Sequence, residues 1–256
     1  MRTRLTAPQV IEAFHLAFLA ALPTKVPQDR YVVKGGAALR YWFGSPRYSE
    51  DMDLDAAGIS AESLGERVDA LLAGPAVTSL LRSVDVSPRE VRAVKATATT
   101  RRWKLALATP ERTEPVRTKV EFSFRRGELD TRTILEPVPE PIVARYALRP
   151  PLAPHYTAAA AAEQKVGALA GRSQPQARDV FDLELLLRGW PDALAPGRIP
   201  SRVIDVAIER ALELSYAAFS AQVGPFLEPD VRAIHDQPEA WAAAQSFVAE
   251  RLISAR

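Results

Sequence analysis

Cysteine is absent from the 256 residues, which excludes disulfides and thiolate metal ligands and leads us to expect a cytoplasmic protein. Histidine is scarce. His15, His155 and His235 are the three present, too widely spaced to form a metal-ligand pattern. No apolar run approaches the roughly 18–20 residues that span a bilayer. The richest apolar stretch, "VIEAFHLAFLAAL", carries Glu12 and His15 at helical spacing. It lacks the basic start and cleavage site of a signal peptide, so a packed amphipathic helix is expected. A serine–histidine–acid set and a P-loop are also missing. Neither sign of charge dominates: 33 basic against 31 acidic residues give a net charge of +2. With 47% hydrophobic and 25% charged residues, neither a disordered nor a membrane class is indicated.

What charge asymmetry there is lies between Arg82 and Arg126, where Arg101, Arg102, Lys104, Arg112, Arg117, Lys119, Arg125 and Arg126 cluster. Such a stretch reads either as a solvated face or as a surface for polyanions such as RNA. Along the chain, Thr6 with Gln9 forms a capping box that opens a helix to about Leu22. "YVV" (31–33) reads as a buried strand, Gly35-Gly36 as a turn and "AALRYWF" as a helix, followed by the period-two strand "DMDLDA". Ser60 caps a further helix to about Leu72, and "RRWKLALAT" (101–109) and "RTKVEFSFR" (117–125) read as extended. Prolines cluster between residues 137 and 154, which reads as a linker or an extended crossing segment and places a boundary there. Helices are expected at 157–170, 176–187, 201–217 and 238–253. The expected organisation is α+β: a mixed-sheet half over residues 1–140 and a helical half over 141–256.

The stretch "KGGAALRYWFGSPRYSEDMDLDA" carries the chemistry. Side chains two apart on a strand point the same way, so Asp51 and Asp53 lie side by side, roughly 6–7 Å apart. Two hard carboxylates at that spacing suit one or two Mg²⁺ ions, and such a pair of metals supports in-line displacement at phosphorus. Glu121 in "KVEFS" is the candidate third ligand; its other reading is an exposed strand residue paired with a lysine. Gly35 and Gly36, between a strand and a helix, offer backbone N–H groups to a phosphate. Arg47 and Ser49 precede the acidic strand and are placed to hold phosphate or to orient Asp51. Asp55 shares the strand face further along and reads as structural. Trp103, amid arginines, reads as core or as a stacking platform for a base.

These motifs bring a family into view. "KGGAALRYWFGSPRYSEDMDLD" resembles the first motif of the nucleotidyltransferase superfamily related to DNA polymerase β. More closely, it resembles the AbiEii/AbiGii toxins, which read roughly Lys-Gly-Gly-x-x-Leu-Arg and then Arg-x-Ser-x-Asp-x-Asp. "AAEQKVGALAGRSQPQARDVFDLELLL" resembles the same family's later motif, a helix bearing a lysine and then Arg-Asp-x-x-Asp-Leu. The resemblance implies a polymerase β-like nucleotidyltransferase core with a helical half completing the nucleotide cleft. By position it implies Asp51 and Asp53 as the catalytic metal-binding pair, Gly35 and Gly36 as the phosphate turn, and Lys165 on the triphosphate. Asp182 would be the downstream acid, with Asp179 the other choice one turn earlier. It further implies an NTP substrate, Mg²⁺, a cognate antitoxin and an RNA acceptor, most closely the 3′ end of tRNA. The rival expectations are a protein or small-molecule acceptor, and a catalytically idle nucleotide- or RNA-binding module.

Overall fold

In the computed structural model, residues 4–124 and 129–256 are described; Arg125 and Arg126 of the basic stretch lie outside them. The chain forms two compact units. One comprises residues 1–42 and 48–156, the other residues 43–47 and 157–256.

The first unit is built on a seven-stranded mixed sheet. Its strands are β1 (Tyr31–Lys34), β2 (Asp51–Ala56), β3 (Ser87–Thr97), β4 (Thr100–Ala108), β5 (Val116–Ser123), β6 (Thr133–Pro137) and β7 (Leu152–Tyr156), in the order β3-β4-β5-β2-β1-β7-β6. β1 and β2 pair antiparallel, while β2 and β5 pair parallel. Helices α1 (Ala7–Ala21), α2 (Gly35–Trp42), α3 (Ala61–Ala73), α4 (Pro75–Leu81) and α5 (Glu140–Ala144) complete the unit. The reciprocal half of the Thr6 capping box is present, with the Thr6 N–H donating to Gln9 Oε1 at 2.9 Å.

One face of the sheet is apolar because alternate residues of β2, β4 and β5 are Met52 and Leu54, Trp103, Leu105 and Leu107, and Val120 and Phe122, all buried. α1 contributes Phe14 and Phe18 to that core, with Phe18 edge-on to Phe122 at 6.5 Å. Trp103 belongs there too, 2% exposed and donating from Nε1 to Asp69 Oδ1 at 2.6 Å. Its ring is core, and it offers no stacking platform to a base.

The proline-rich stretch holds the end of β6, helix α5 and the start of β7. β6 and β7 pair antiparallel from Thr133↔Tyr156 to Pro137↔Leu152, and β7 joins β1 in parallel at Val33↔His155. Edge strand β6 tolerates proline because its outer N–H groups have no ladder partner to lose. The division between the units accordingly falls at Tyr156, beyond the expected boundary near residue 140.

The second unit is helical: α6 (Ala158–Gly171), α7 (Ala177–Gly189), α8 (Ser201–Glu213), α9 (Tyr216–Gln222), α10 (Pro229–His235) and α11 (Pro238–Ser254). Its core includes Val166, Val180, Leu183, Ile204, Val248 and Leu252. Residues 43–47 join this unit, with Arg47 bridged to Leu227. Among the described residues no helix is long and apolar enough to cross a membrane.

His15 tests how this core handles a titratable group. It is fully buried on α1; its Nε2 lies 2.9 Å from Thr118 Oγ1 and its Nδ1 has no hydrogen-bond partner. Burial pushes its pKa down from 6.5 to about 3. Below pH 6.5 the unfolded chain takes up a proton that the folded chain refuses until about pH 3. Stability is then full above that window and falls through it, by up to about 1.4 kcal/mol per pH unit. His15→Asn is expected to flatten this acid limb when denaturant unfolding is compared at neutral and mildly acidic pH.

Candidate active site

β1 ends at Lys34, and Gly35 turns the chain into α2 with φ +68°. Only glycine adopts that backbone without strain. A Cβ at this position would also come within 3.3 Å of Asp53 Oδ2, so the missing side chain keeps the space beside Asp53 clear. Gly36 follows in the first turn of α2.

Strand alternation explains the acidic cluster. Met52 and Leu54 fill the core, which turns Asp51, Asp53 and Asp55 to the opposite face. Register then brings neighbours onto the same face: Asp51↔Lys119, Asp53↔Glu121 and Asp55↔Ser123 from β5, and Lys34↔Asp53 from β1. Lys119 Nζ lies 2.7 Å from Asp51 Oδ2, and Lys34 pairs with Asp55. Asp55 is buried and also accepts from Tyr156 Oη at 2.7 Å, so protein groups hold it. Glu121 accepts from Arg102 Nε at 2.5 Å.

Asp53 differs from its neighbours. Among the described residues no cation lies within ion-pair distance of it. Burial pushes its carboxyl up from the ordinary range, Lys119 and Lys34 pull it down, and Asp51 and Glu121 add to the rise.

The backbone ahead of Asp51 is pinned from two sides. Ser49 Oγ donates to the Asp51 carbonyl at 2.8 Å, and Thr118 Oγ1 donates to the Glu50 carbonyl at 2.8 Å. Since the Thr118 proton is committed there, His15 Nε2–H donates to Thr118. Sequence reasoning misses the roles of His15, Thr118 and Lys34. For Lys119 a signal exists: it shares the pleat parity of Glu121.

Among the described residues no group of three or more histidines and acids is gathered for a metal ion. The chemistry of the donor set nevertheless fits a divalent cation at Asp51 and Asp53. Both are hard oxygen donors on one face, Lys119 already places positive charge on Asp51, and Asp53 has charge left to satisfy. Glu121 faces the same way but is engaged by Arg102.

The second unit carries its own charged cluster. On α7, Asp179 and Asp182 are three residues apart and share a face. Both are fully buried. Lys165 Nζ from α6 lies 3.1 Å from Asp179 Oδ1 and 2.5 Å from Asp182 Oδ2. Arg47 donates to both Asp182 oxygens, from Nη2 to Oδ2 at 2.9 Å and from Nε to Oδ1 at 3.2 Å, and Arg172 Nε reaches Asp179 at 2.8 Å. Burial opposes the Asp182 charge, but Arg47 and Lys165 outweigh it and hold its carboxyl below the ordinary range. Both α7 acids thus meet Lys165. Arg47 adds a second cation to Asp182 and Arg172 a second to Asp179.

The family model for the nucleotidyl transferase AbiEii toxin of type IV toxin–antitoxin systems matches residues 17–250. In fold the chain is similar to MenT4, a nucleotidyltransferase toxin from Mycobacterium tuberculosis H37Rv. The TM-score is 0.62 at 19% identity, over 97% of this chain and 86% of that one. It is similar also to JHP933 from Helicobacter pylori, with TM-score 0.55 at 15% identity, over 96% of this chain and 91% of that one. No curated protein matches the chain.

The two clusters should respond oppositely to neutralisation. Asp182→Ala leaves Arg47 and Lys165 buried beside too little negative charge, at an expected cost of roughly 3–5 kcal/mol. Asp53→Asn removes a crowded carboxylate and is expected to leave stability unchanged or raise it. Denaturant unfolding of the two variants checks this, and the reverse order would contradict it.

Proposed function

Because the chain belongs to the AbiEii family of nucleotidyltransferase toxins from type IV toxin–antitoxin systems, we propose that it moves a nucleoside monophosphate from an NTP to an acceptor hydroxyl. The 3′ end of tRNA is the acceptor we favour. The observation that carries the reading is the pair Asp51 and Asp53. The two stand on one strand face and are crowded by Glu121, and Asp53 has no cation of its own among the described residues.

Asp51 and Asp53 are the residues that would hold Mg²⁺, with Glu121 as the candidate third ligand once it parts from Arg102. Bound Mg²⁺ supplies charge stabilisation at the phosphates and lowers the pKa of an attacking hydroxyl. The chain's own residues position. Ser49 and Thr118 fix the backbone carbonyls on either side of the Asp51 Cα, which holds its carboxylate in place beside that of Asp53. Gly35 leaves room beside Asp53, and with Gly36 it opens backbone N–H groups to a phosphate. Lys165, only partly buried and paired with both Asp179 and Asp182, is assigned to the triphosphate. Arg47 holds Asp182, and Asp182 in turn holds Lys165.

In the transfer, the acceptor oxygen bonds to the α-phosphorus, the bond to the bridging oxygen breaks, and pyrophosphate leaves. Positioning and charge complementarity supply the catalysis. A cognate antitoxin and a cytoplasmic location follow from the toxin–antitoxin reading.

Purified protein with labelled NTPs and Mg²⁺ is expected to label tRNA in preference to protein or small-molecule fractions. Chelation, or Asp51→Ala, is expected to reduce that labelling by about 10³-fold or more. Undiminished labelling by Asp51→Ala would refute the assignment.

A further inference from the structure

The register that gathers the acids also lays cations across the sheet. Residues paired across neighbouring strands share a face. One row runs Arg92↔Lys104, Lys104↔Lys119 and Lys119↔Asp51. The next runs Lys95↔Arg102, Arg102↔Glu121 and Glu121↔Asp53. Arg117 on β5 extends the same face. Arg92, Lys104 and Arg117 are exposed, and Lys95, Arg102 and Lys119 are half-buried. The acids among them are Glu90, paired with Arg92, and Glu121, paired with Arg102. The opposite face of β4 and β5 is the core. Adjacent strands are about 4.8 Å apart, so the rows cross roughly 14 Å from edge strand β3 to the acids.

We propose that this face is a track for the sugar–phosphate backbone of a single-stranded polynucleotide, leading its terminal hydroxyl from β3 across β4 and β5 to Asp51. The proposal rests on the nucleotidyl-transfer reading and adds the recognition surface for the acceptor. Charge complementarity identifies the occupant. Cations repeat on β3, β4 and β5 in one row and on β3 and β4 in the next, as spaced phosphates require, and they end beside carboxylates suited to a phosphoryl site. The rows themselves contain no aromatic side chain. Contact is therefore with phosphate rather than base, which makes binding tolerant of sequence and strongly dependent on salt.

The test uses the full-length chain and a labelled, unstructured RNA of mixed sequence, titrated at several salt concentrations without NTP. The double variant Arg92→Gln/Lys104→Gln is compared with wild type. Both residues are exposed, so an unchanged thermal midpoint and unchanged NTP affinity are expected. RNA affinity should fall about tenfold, and the slope of log affinity against log salt should become shallower by about 1.4, or 0.7 per lost phosphate contact. RNA affinity and slope equal to wild type would overturn the track. Equal loss of affinity for polyglutamate, with no preference for RNA in the wild type, would also overturn it in favour of an acidic protein partner. Row-dependent RNA binding with no transfer to any acceptor would support the track while the transfer reading fails. Transfer to RNA that the double variant leaves undiminished would do the reverse.

Discussion

Carboxylates two apart on a strand face the same way and repel, and the first unit is arranged around that repulsion. At 6–7 Å and an effective dielectric near 20, each such pair costs about 2–3 kcal/mol. β2 carries three in a row, and β5 adds Glu121 opposite Asp53. The sheet offsets most of this from neighbouring strands, with Lys34 on Asp55, Lys119 on Asp51 and Arg102 on Glu121. Burial of Met52 and Leu54 on the other face holds the strand in place regardless. Asp53 is the carboxylate without an ion pair among the described residues, and burial above all pushes its carboxyl up, with Asp51 and Glu121 adding to the rise against the pull of Lys119 and Lys34. A fold that needed only stability would gain from an asparagine there.

The helical unit balances its charges the other way. Asp179 and Asp182 are sealed from water, and a buried charge is tolerable only when paired and hydrogen-bonded. Lys165, Arg47 and Arg172 provide that pairing. The bonds of this cluster are specific in geometry: Arg47 grips Asp182 through two nitrogens, and Lys165 meets both acids of α7.

Much of this is legible in local sequence pattern. The period-two run "DMDLDA" names its strand, its buried pair and its outward acids, and the alternation of "RTKVEFS" does the same for β5. The glycine turn and the major helices of the second unit are equally plain. What local pattern does not contain is pairing between segments distant in the chain. That Lys119 sits on Asp51 depends on the parallel β2–β5 register, set by residues more than sixty positions apart. β3 escapes sequence reading because "SPREVRAVKAT" is exposed on both faces for most of its length and shows no clean alternation. β6 and β7 are hidden by Pro137 and Pro154, of which Pro137 stands on an edge strand that tolerates it. Residues 43–47 join the helical unit through Arg47, a partnership invisible until Asp182 is placed.

Edge strand β3 has a reason for charge that requires no ligand. Open edges template aggregation, and charges together with bulges blunt them. β3 has Arg89, Glu90, Arg92 and Lys95, with register shifts at Pro88/Glu90 and Ala93/Lys95. That account stops at β3. Lys104, Arg117 and Lys119 stand on strands paired on both sides, where no edge needs protection. Lysines opposite one another at Lys104↔Lys119 repel rather than stabilise. Repulsion among the acids at β2 and among the cations at β4 and β5, on one face and in adjoining rows, is what the proposed metal pair and polynucleotide track would relieve.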